Sequence, residues 1–159
     1  MSVSPEIFKE VMGRFGSSVT IVTFKHDSGI HGLTVSAFCS VSLEPPRILV
    51  CIKKQGSSHE FLSQSERFVV NILAKEQQDL AWQFSNPELG SEDRFAGASY
   101  KTTEPGLPVF TDNLAHLECR MVNQFDGGDH TIFLGEVENC YFSEESTPLF
   151  YYNRGFHTL

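Results

Sequence analysis

Apolar and polar positions along the chain fall into short alternating or β-branched stretches punctuated by Gly, Pro and Asp. Helical periodicity is confined to the N-terminus and two internal segments. The stretch Ile30 to Ile52 organises the rest. From Gly32 to Ala37 the alternation directs Leu33, Val35 and Ala37 to one face of a strand and Thr34 and Ser36 to the other. A row of small hydroxyls beside Gly32 suits either a solvent-facing strand or a wall that leaves backbone open to a ligand. Pro45 and Pro46 break the pattern, and the continuous apolar run Ile48 to Ile52 predicts a central strand buried on both faces.

Further β-type runs cover Ser18 to Phe24, Arg67 to Leu73, Leu114 to Phe125, Thr131 to Phe142 and Leu149 to Tyr152. The turn His26 to Gly29 joins the first of these to the Gly32 strand as a hairpin. Asp126-Gly127-Gly128-Asp129 joins the two longest runs, with both glycines able to take positive φ. Asn153-Arg154-Gly155 closes the chain. Ser4 as N-cap and Pro5 at the first helical position start a helix carrying Ile7, Phe8, Val11, Met12 and Phe15, which loosens at Gly13 and Gly16. A second helical segment, Glu76 to Phe84, places Leu80, Ala81 and Phe84 on one face and stops at Asn86-Pro87. The polar excursion from Glu88 to Gly106, with Arg94-Phe95 in its middle, is either a mobile cover over a site or a connector. About seven strands with hairpin turns and little helix between them predict a mostly β, antiparallel barrel.

At 159 residues and 40% hydrophobic the chain can bury one sizeable core, so one domain over 1–159 is expected. A net charge of -8 without long charged runs excludes a general nucleic-acid or anionic-membrane surface, but not a small anion in a local pocket. No apolar run reaches membrane-span length, and MSVSPEIFKE lacks the basic start and apolar core of a signal peptide, which predicts a cytosolic protein. Cys39, Cys51, Cys119 and Cys140 are widely spaced, with no Cys-x-x-Cys pair, and read as buried free thiols. The histidines lack zinc-protease spacing, so no metal site is expected.

Chemistry concentrates in KKQGSSHEFL, Lys53 to Leu62. Ser57 with Glu60 three residues on fits a capping box, so a short helix should begin there with hydroxyls at its mouth and Lys53, Lys54 and Gly56 just before it. Such a start is either an ordinary capped surface helix or an anion site. His130 follows the Gly-Gly turn directly and is a structural or a catalytic histidine.

The segments FKEVMGRFGSSVTIVTF, GLTVSAFCSVSLEPPRILVCI, FVVNIL, DRFAG, GLPV, HLECR and GDHTIFLGEVE, in this order from Phe8 to Glu138, closely resemble the short-chain flavin reductases, the reductase components of two-component flavin-dependent monooxygenases. The resemblance implies an FMN-binding split barrel, an antiparallel Greek-key barrel with an N-terminal helix and short flanking helices, working as a homodimer with flavin near the interface. It implies that Leu33, Thr34, Val35, Ser36 and Ala37 line the flavin ring, with Ser40, Val41 and Ser42 beside it. Cys51, Ile52, Lys53 and Lys54 match the strand end under the ribityl chain, and Ser57 and Ser58 the phosphate-binding hydroxyls. His130 matches the histidine beside the nicotinamide, and Tyr152 with Arg154 the terminal Tyr-x-Arg-Gly. His59 stands where the family often has Thr, and Phe156 with a short tail replaces a more basic ending.

The expected activity is therefore that of an NAD(P)H:flavin oxidoreductase, passing a hydride from NADH or NADPH to FMN or FAD and supplying reduced flavin to a partner oxygenase. Since the chain has no Gly-x-Gly-x-x-Gly turn, the nicotinamide would stack on the flavin in an open groove. His130 is expected to orient it. A flavin carrier of the same fold that performs no reduction is the alternative, and a His/Cys metal module a third.

Overall fold

The computed structural model describes residues 2–159. The chain opens with helix α1 (Pro5–Met12), capped as the sequence predicts: Ser4 Oγ accepts the Ile7 N–H at 3.2 Å and Pro5 occupies the first turn. A two-residue strand β1 (Ser17–Ser18) precedes the hairpin of β2 (Thr20–His26) and β3 (Gly29–Val35). Strands β4 (Phe38–Leu43) and β5 (Pro46–Lys53) follow, then helix α2 (Ser57–Ser63) and strand β6 (Arg67–Ile72). A single 3-10 turn (Lys75–Gln77) leads into α3 (Gln78–Ser85), and the short α4 (Ser91–Phe95) precedes the small β7 (Tyr100–Thr102) and β8 (Pro108–Phe110) pair. The long hairpin β9 (Ala115–Asp126) and β10 (His130–Phe142) is followed by β11 (Leu149–Tyr152) and β12 (Gly155–Thr158).

Seven strands form one antiparallel sheet in the order β3-β2-β6-β9-β10-β5-β4. The segment after β3 curls back so that the Cys51 N–H donates to the Ala37 carbonyl at 2.9 Å, drawing the two ends of the sheet together as a barrel closes. Its interior holds Val22, Phe24, Val35, Ile48, Val50, Ile52, Phe68 and Phe133, with Leu62 of α2 plugging one end. A second core, with Val19, Ile21, Leu73, Ala81, Phe84, Phe95 and Phe110, lies between the outer face of the sheet and α3 and α4. Buried Asn71 pins the two together: its amide nitrogen donates to Ile21 O and Thr23 Oγ1, and its Oδ1 accepts from Phe110 N–H and Asn113 Nδ2. Among the described residues no helix is long and apolar enough to cross a membrane.

The architecture corrects several expectations. Among the described residues the sheet itself has seven strands, but five further strands lie outside it. Strand β5 is not buried on both faces: Ile48, Val50 and Ile52 point into the core, while Leu49 and Cys51 face outward and are only half-buried. That outer face is apolar because it walls a cleft. β3 ends at Val35 and the chain bends, Phe38 N–H donating to Ser36 O at 3.0 Å, so Ala37 does not continue the core-facing row. The next residues form the unforeseen edge strand β4, joined to β5 through a cis Glu44–Pro45 bond.

Asn153-Arg154 is a hairpin turn rather than a terminus. Both residues have positive φ, 48° and 65°, the geometry of a tight two-residue turn that returns the chain as β12. Of the two glycines in the β9–β10 turn, Gly128 takes positive φ, at 88°. The cysteines are all free, yet Cys39 and Cys140 are exposed, not buried. Among the described residues no cluster of His, Cys, Asp and Glu could hold a metal.

Candidate functional site

Two clefts share the end of the barrel where β3 and β5 finish. The first, about 420 Å³, lies between the end of β5, the mouth of α2 and the α3–α4 segment; Thr34, Lys53, Ser57, Ser58, His59 and Arg94 are among its walls. The second, wider cleft, about 670 Å³, lies between α1, the bend after β3 and the outer face of β5; its lining includes Ser36, Ala37, Cys39, Cys51, Tyr151 and Arg154. They take neighbouring residues of β5 and of β3 with the bend that follows it. Thr34 and Ile52-Lys53 face the first, Ser36-Ala37 and Cys51 the second.

The capping box expected at α2 is absent. Gly56, with φ 109°, is the N-cap, and Ser57 is the first helical residue, with no side-chain bond closing the turn. A glycine at that φ lets the chain enter the helix without a serine cap, which leaves the Ser57 hydroxyl free on the cleft wall. Ser58 Oγ accepts from Arg94 Nη1 at 3.4 Å. Thr34 lines this cleft, but its hydroxyl hydrogen is committed to the Ala81 carbonyl of α3 at 2.7 Å. Gly32 lets α3 approach: a Cβ there would lie 2.6 Å from the Phe84 ring.

Arg94 is a further candidate, carried by the segment that the sequence left open as a cover over a site or a connector. Its Nη1 also donates to Gly32 O at 2.9 Å and its Nη2 to Asn86 O at 3.0 Å, while the buried Nε has no partner. Burial lowers the guanidinium pKa. Among the described residues no carboxylate pairs with it. The hints in the sequence were the Arg-Phe pair in a polar loop and the segment DRFAG, Asp93 to Gly97, among those that carry the family resemblance. The segment carrying it is an ordered wall: Gln83 Nε2 donates to Arg94 O at 2.7 Å and Ala96 O at 2.9 Å. An uncompensated cation facing two serines, with a donor left over, fits the phosphate of a flavin mononucleotide.

The remaining sequence candidates are distributed unevenly. Lys53 and Leu33 line the first cleft, whereas Lys54 is turned away and paired with Asp126 at 2.5 Å. His59 is held by Thr131 Oγ1 at 2.8 Å. Val35 is buried in the core. Ser40, Val41 and Ser42 lie on the exposed edge strand β4 outside both clefts, with the Ser42 hydroxyl donated to Pro45 O. The wide cleft takes Tyr151, while Tyr152 projects to the other side of β11 beside His157. Arg154 reaches that cleft but is paired with Glu10 at 2.5 Å. His130 stands opposite Lys53 in the β10–β5 register, outside both linings, its Nδ1 2.7 Å from Asp129 Oδ1. The His130 ring holds the Asp129 carboxyl below its ordinary pKa range. In the wide cleft, burial and the neighbouring Cys39 push the Cys51 thiol up, which makes that wall neutral and apolar at physiological pH.

Residues 12–159 match the model of the flavin reductase like domain. The chain belongs to the flavin reductase-like family. HsaB, the reductase subunit of a flavin-dependent monooxygenase from Mycobacterium tuberculosis, is 35% identical over 160 residues, covering 98% of this chain and 82% of that protein. The FMN reductase (NADH) RutF 2 of Rhizobium rhizogenes is 32% identical, covering 96% of this chain and 87% of its own length. Among solved structures, the Streptomyces globisporus NADH:FAD oxidoreductase SgcE6, in complex with NAD and FAD fragments, superposes with a TM-score of 0.90 at 32% identity, covering 99% of this chain and 95% of that one. Family membership and the shared mostly β fold agree with the resemblance read from the sequence.

Proposed function

We propose that this flavin reductase-like chain is an NAD(P)H:flavin oxidoreductase that takes FMN, with its phosphate on Ser57, Ser58 and Arg94. The ribityl chain then runs along Ile52 and Lys53, and the ring lies in the wide cleft over Ser36, Ala37 and Cys51. The observation that carries this reading is Arg94, a half-buried guanidinium with an unpartnered Nε and no carboxylate, facing the two serines. When bound, flavin supplies the hydride acceptor for the nicotinamide.

The chain's own part is geometric. The first cleft fixes the anionic end of the ligand, and the apolar Leu49 and Cys51 wall of the second excludes water from one side of the ring. His130, held by Asp129 and next to Lys53, orients the nicotinamide over the open side. The monooxygenase reductase subunit among the relatives supports a partner oxygenase as recipient of reduced flavin.

A homodimer is part of the same reading. Helix α1 buries none of its residues; Met12 and Phe15 are exposed where they line the wide cleft, and Ile7, Phe8 and Val11 extend the exposed apolar surface along α1. Apolar surface of this kind at the rim of a ligand cleft is suited to a second copy that completes the wall. Sedimentation velocity should give a dimer; a monomer throughout the micromolar range removes that part of the proposal.

The activity is tested by NADH and NADPH oxidation with FMN, FAD or riboflavin added. Flavin-dependent turnover is expected, with FMN or FAD preferred over riboflavin. No turnover with any pair would overturn the proposal, and a flavin-loaded protein whose visible band survives excess NAD(P)H under anaerobic conditions would make it a carrier.

A further inference from the structure

We infer that His31, acting through Ser91, is the positioning residue that holds Arg94 in the anion subsite. The role rests on the flavin-phosphate reading above.

His31 is only 4% exposed and does not line the cleft, yet both of its ring nitrogens are engaged. Nε2 lies 2.8 Å from Ser28 Oγ and Nδ1 lies 2.6 Å from Ser91 Oγ. Phe24 stacks on the ring at 5.4 Å between centroids and Phe61 leans on it at 4.7 Å, so the imidazole cannot turn.

The hydrogen bonds run in one direction. Gln64 presents Oε1 to His26 Nε2 at 3.2 Å, which makes that nitrogen the donor and leaves His26 Nδ1 to accept the Ser28 hydroxyl at 3.1 Å. Ser28 Oγ then accepts from His31 Nε2–H. The unprotonated His31 Nδ1 accepts the Ser91 hydroxyl. A single neutral tautomer of His31 completes the chain from Gln64 to the cleft wall.

Ser91 opens α4 and Arg94 lies one turn further on the same face. Five residues do not make a helix that stands alone, and Gly90 gives α4 no side-chain cap. Its geometry is imposed from outside. Adjacent residues of β3 grip the two ends of this turn: His31 binds Ser91, and the Gly32 carbonyl receives Arg94 Nη1 at 2.9 Å. Without the acceptor on His31 the Ser91 end is released, and the guanidinium must be oriented at the moment a phosphate binds.

The test is calorimetric titration of FMN and of riboflavin, which lacks the phosphate, into folded variants. His31→Gln and Ser91→Ala should each raise the FMN Kd about tenfold and leave riboflavin unchanged, and the double variant should be no weaker than either alone. His31→Asn, whose Oδ1 replaces Nδ1 as the acceptor for Ser91, should return the FMN Kd to within about threefold of the unmodified protein. Unchanged FMN affinity in His31→Gln, or equal losses for both ligands, would overturn the inference.

Imidazole ¹⁵N spectra of the unmodified protein give a second readout that needs no variant to fold. His31 should be the Nε2–H tautomer at neutral pH; an Nδ1–H ring or an imidazolium contradicts the chain. Arg94→Met separates the two levels. If it abolishes the preference for FMN while the His31 and Ser91 variants keep it, only the inference fails. If Arg94→Met keeps the preference, the phosphate subsite itself is wrong.

Discussion

Arg94 Nη1 lies 3.4 Å from Ser58 Oγ and 2.9 Å from the Gly32 carbonyl, so one guanidinium joins the mouth of α2 to the strand that starts the barrel. The fork also reaches Asn86 O. A lysine in its place keeps the charge and loses the planar span. Arg94→Lys should therefore weaken FMN binding about tenfold with little change for riboflavin, since a charge-assisted bond contributes about 1.5–3 kcal/mol. Fluorescence titration of both ligands measures this, and parallel weakening of the two would count against a phosphate contact.

His130 is placed by Asp129 and lies outside both cleft linings, which suits a group that meets the nicotinamide and not the flavin. His130→Asn is expected to raise KM for NADH about tenfold with the FMN Kd unchanged. Steady-state kinetics at saturating flavin, with a separate flavin titration, distinguishes this from a shared loss, which would move His130 into the flavin site.

Much of this was legible in the chain. Hydrophobic period and turn residues locate α1, the β2–β3 hairpin, β6 and the β9–β10 hairpin, because each of these segments carries a regular pattern and a specific punctuating residue. Periodicity reports apolarity and not depth, which is why Leu49 and Cys51 read as core although they wall a cleft. Strand β12 was hidden by Arg154, a residue that rarely adopts positive φ and does so here in a tight turn beside its Glu10 partner. Ser57 and Ser58 were visible as hydroxyls at a helix start. Arg94 was visible only as part of the segment DRFAG, since its value comes from tertiary contacts with Gly32 and Asn86 that no local pattern encodes.

Asn71 satisfies four groups at the junction of the two cores, with no exposed surface. Asn71→Leu leaves the Phe110 N–H and the Asn113 amide without an acceptor. A loss of about 2–4 kcal/mol is expected from these unpaired buried groups. Urea unfolding should show it as a lower midpoint at unchanged slope; a shift under about 0.5 kcal/mol would mean that water or a rearranged Asn113 replaces the contact.

Acid should destabilise the fold in two separate windows. Burial lowers the pKa of His31 and, with a smaller contribution from Lys101 against an opposing one from Glu118, that of His116. The unfolded chain therefore takes up these protons first, and stability falls as the pH drops below about 6.5. Asp126, Asp129 and Glu136 are held below the ordinary carboxylate range by Lys54, His130 and Arg47 respectively, so their contribution is lost only at lower pH. His116→Phe, which replaces the ring stacked on Tyr141 with another aromatic ring, should make the first window shallower, leaving the His31 part, without moving the second. Thermal midpoints from about pH 7.5 to about pH 5.5 measure the first window, and an unaltered slope in His116→Phe would assign it elsewhere.

The most direct test of the account is a crystal structure of the chain with FMN. The phosphate should lie within hydrogen-bond distance of Arg94, Ser57 and Ser58, with the ring against Ser36, Ala37 and Cys51. A phosphate bound at Arg154 or Lys54, leaving the Arg94 cleft to solvent, would contradict it.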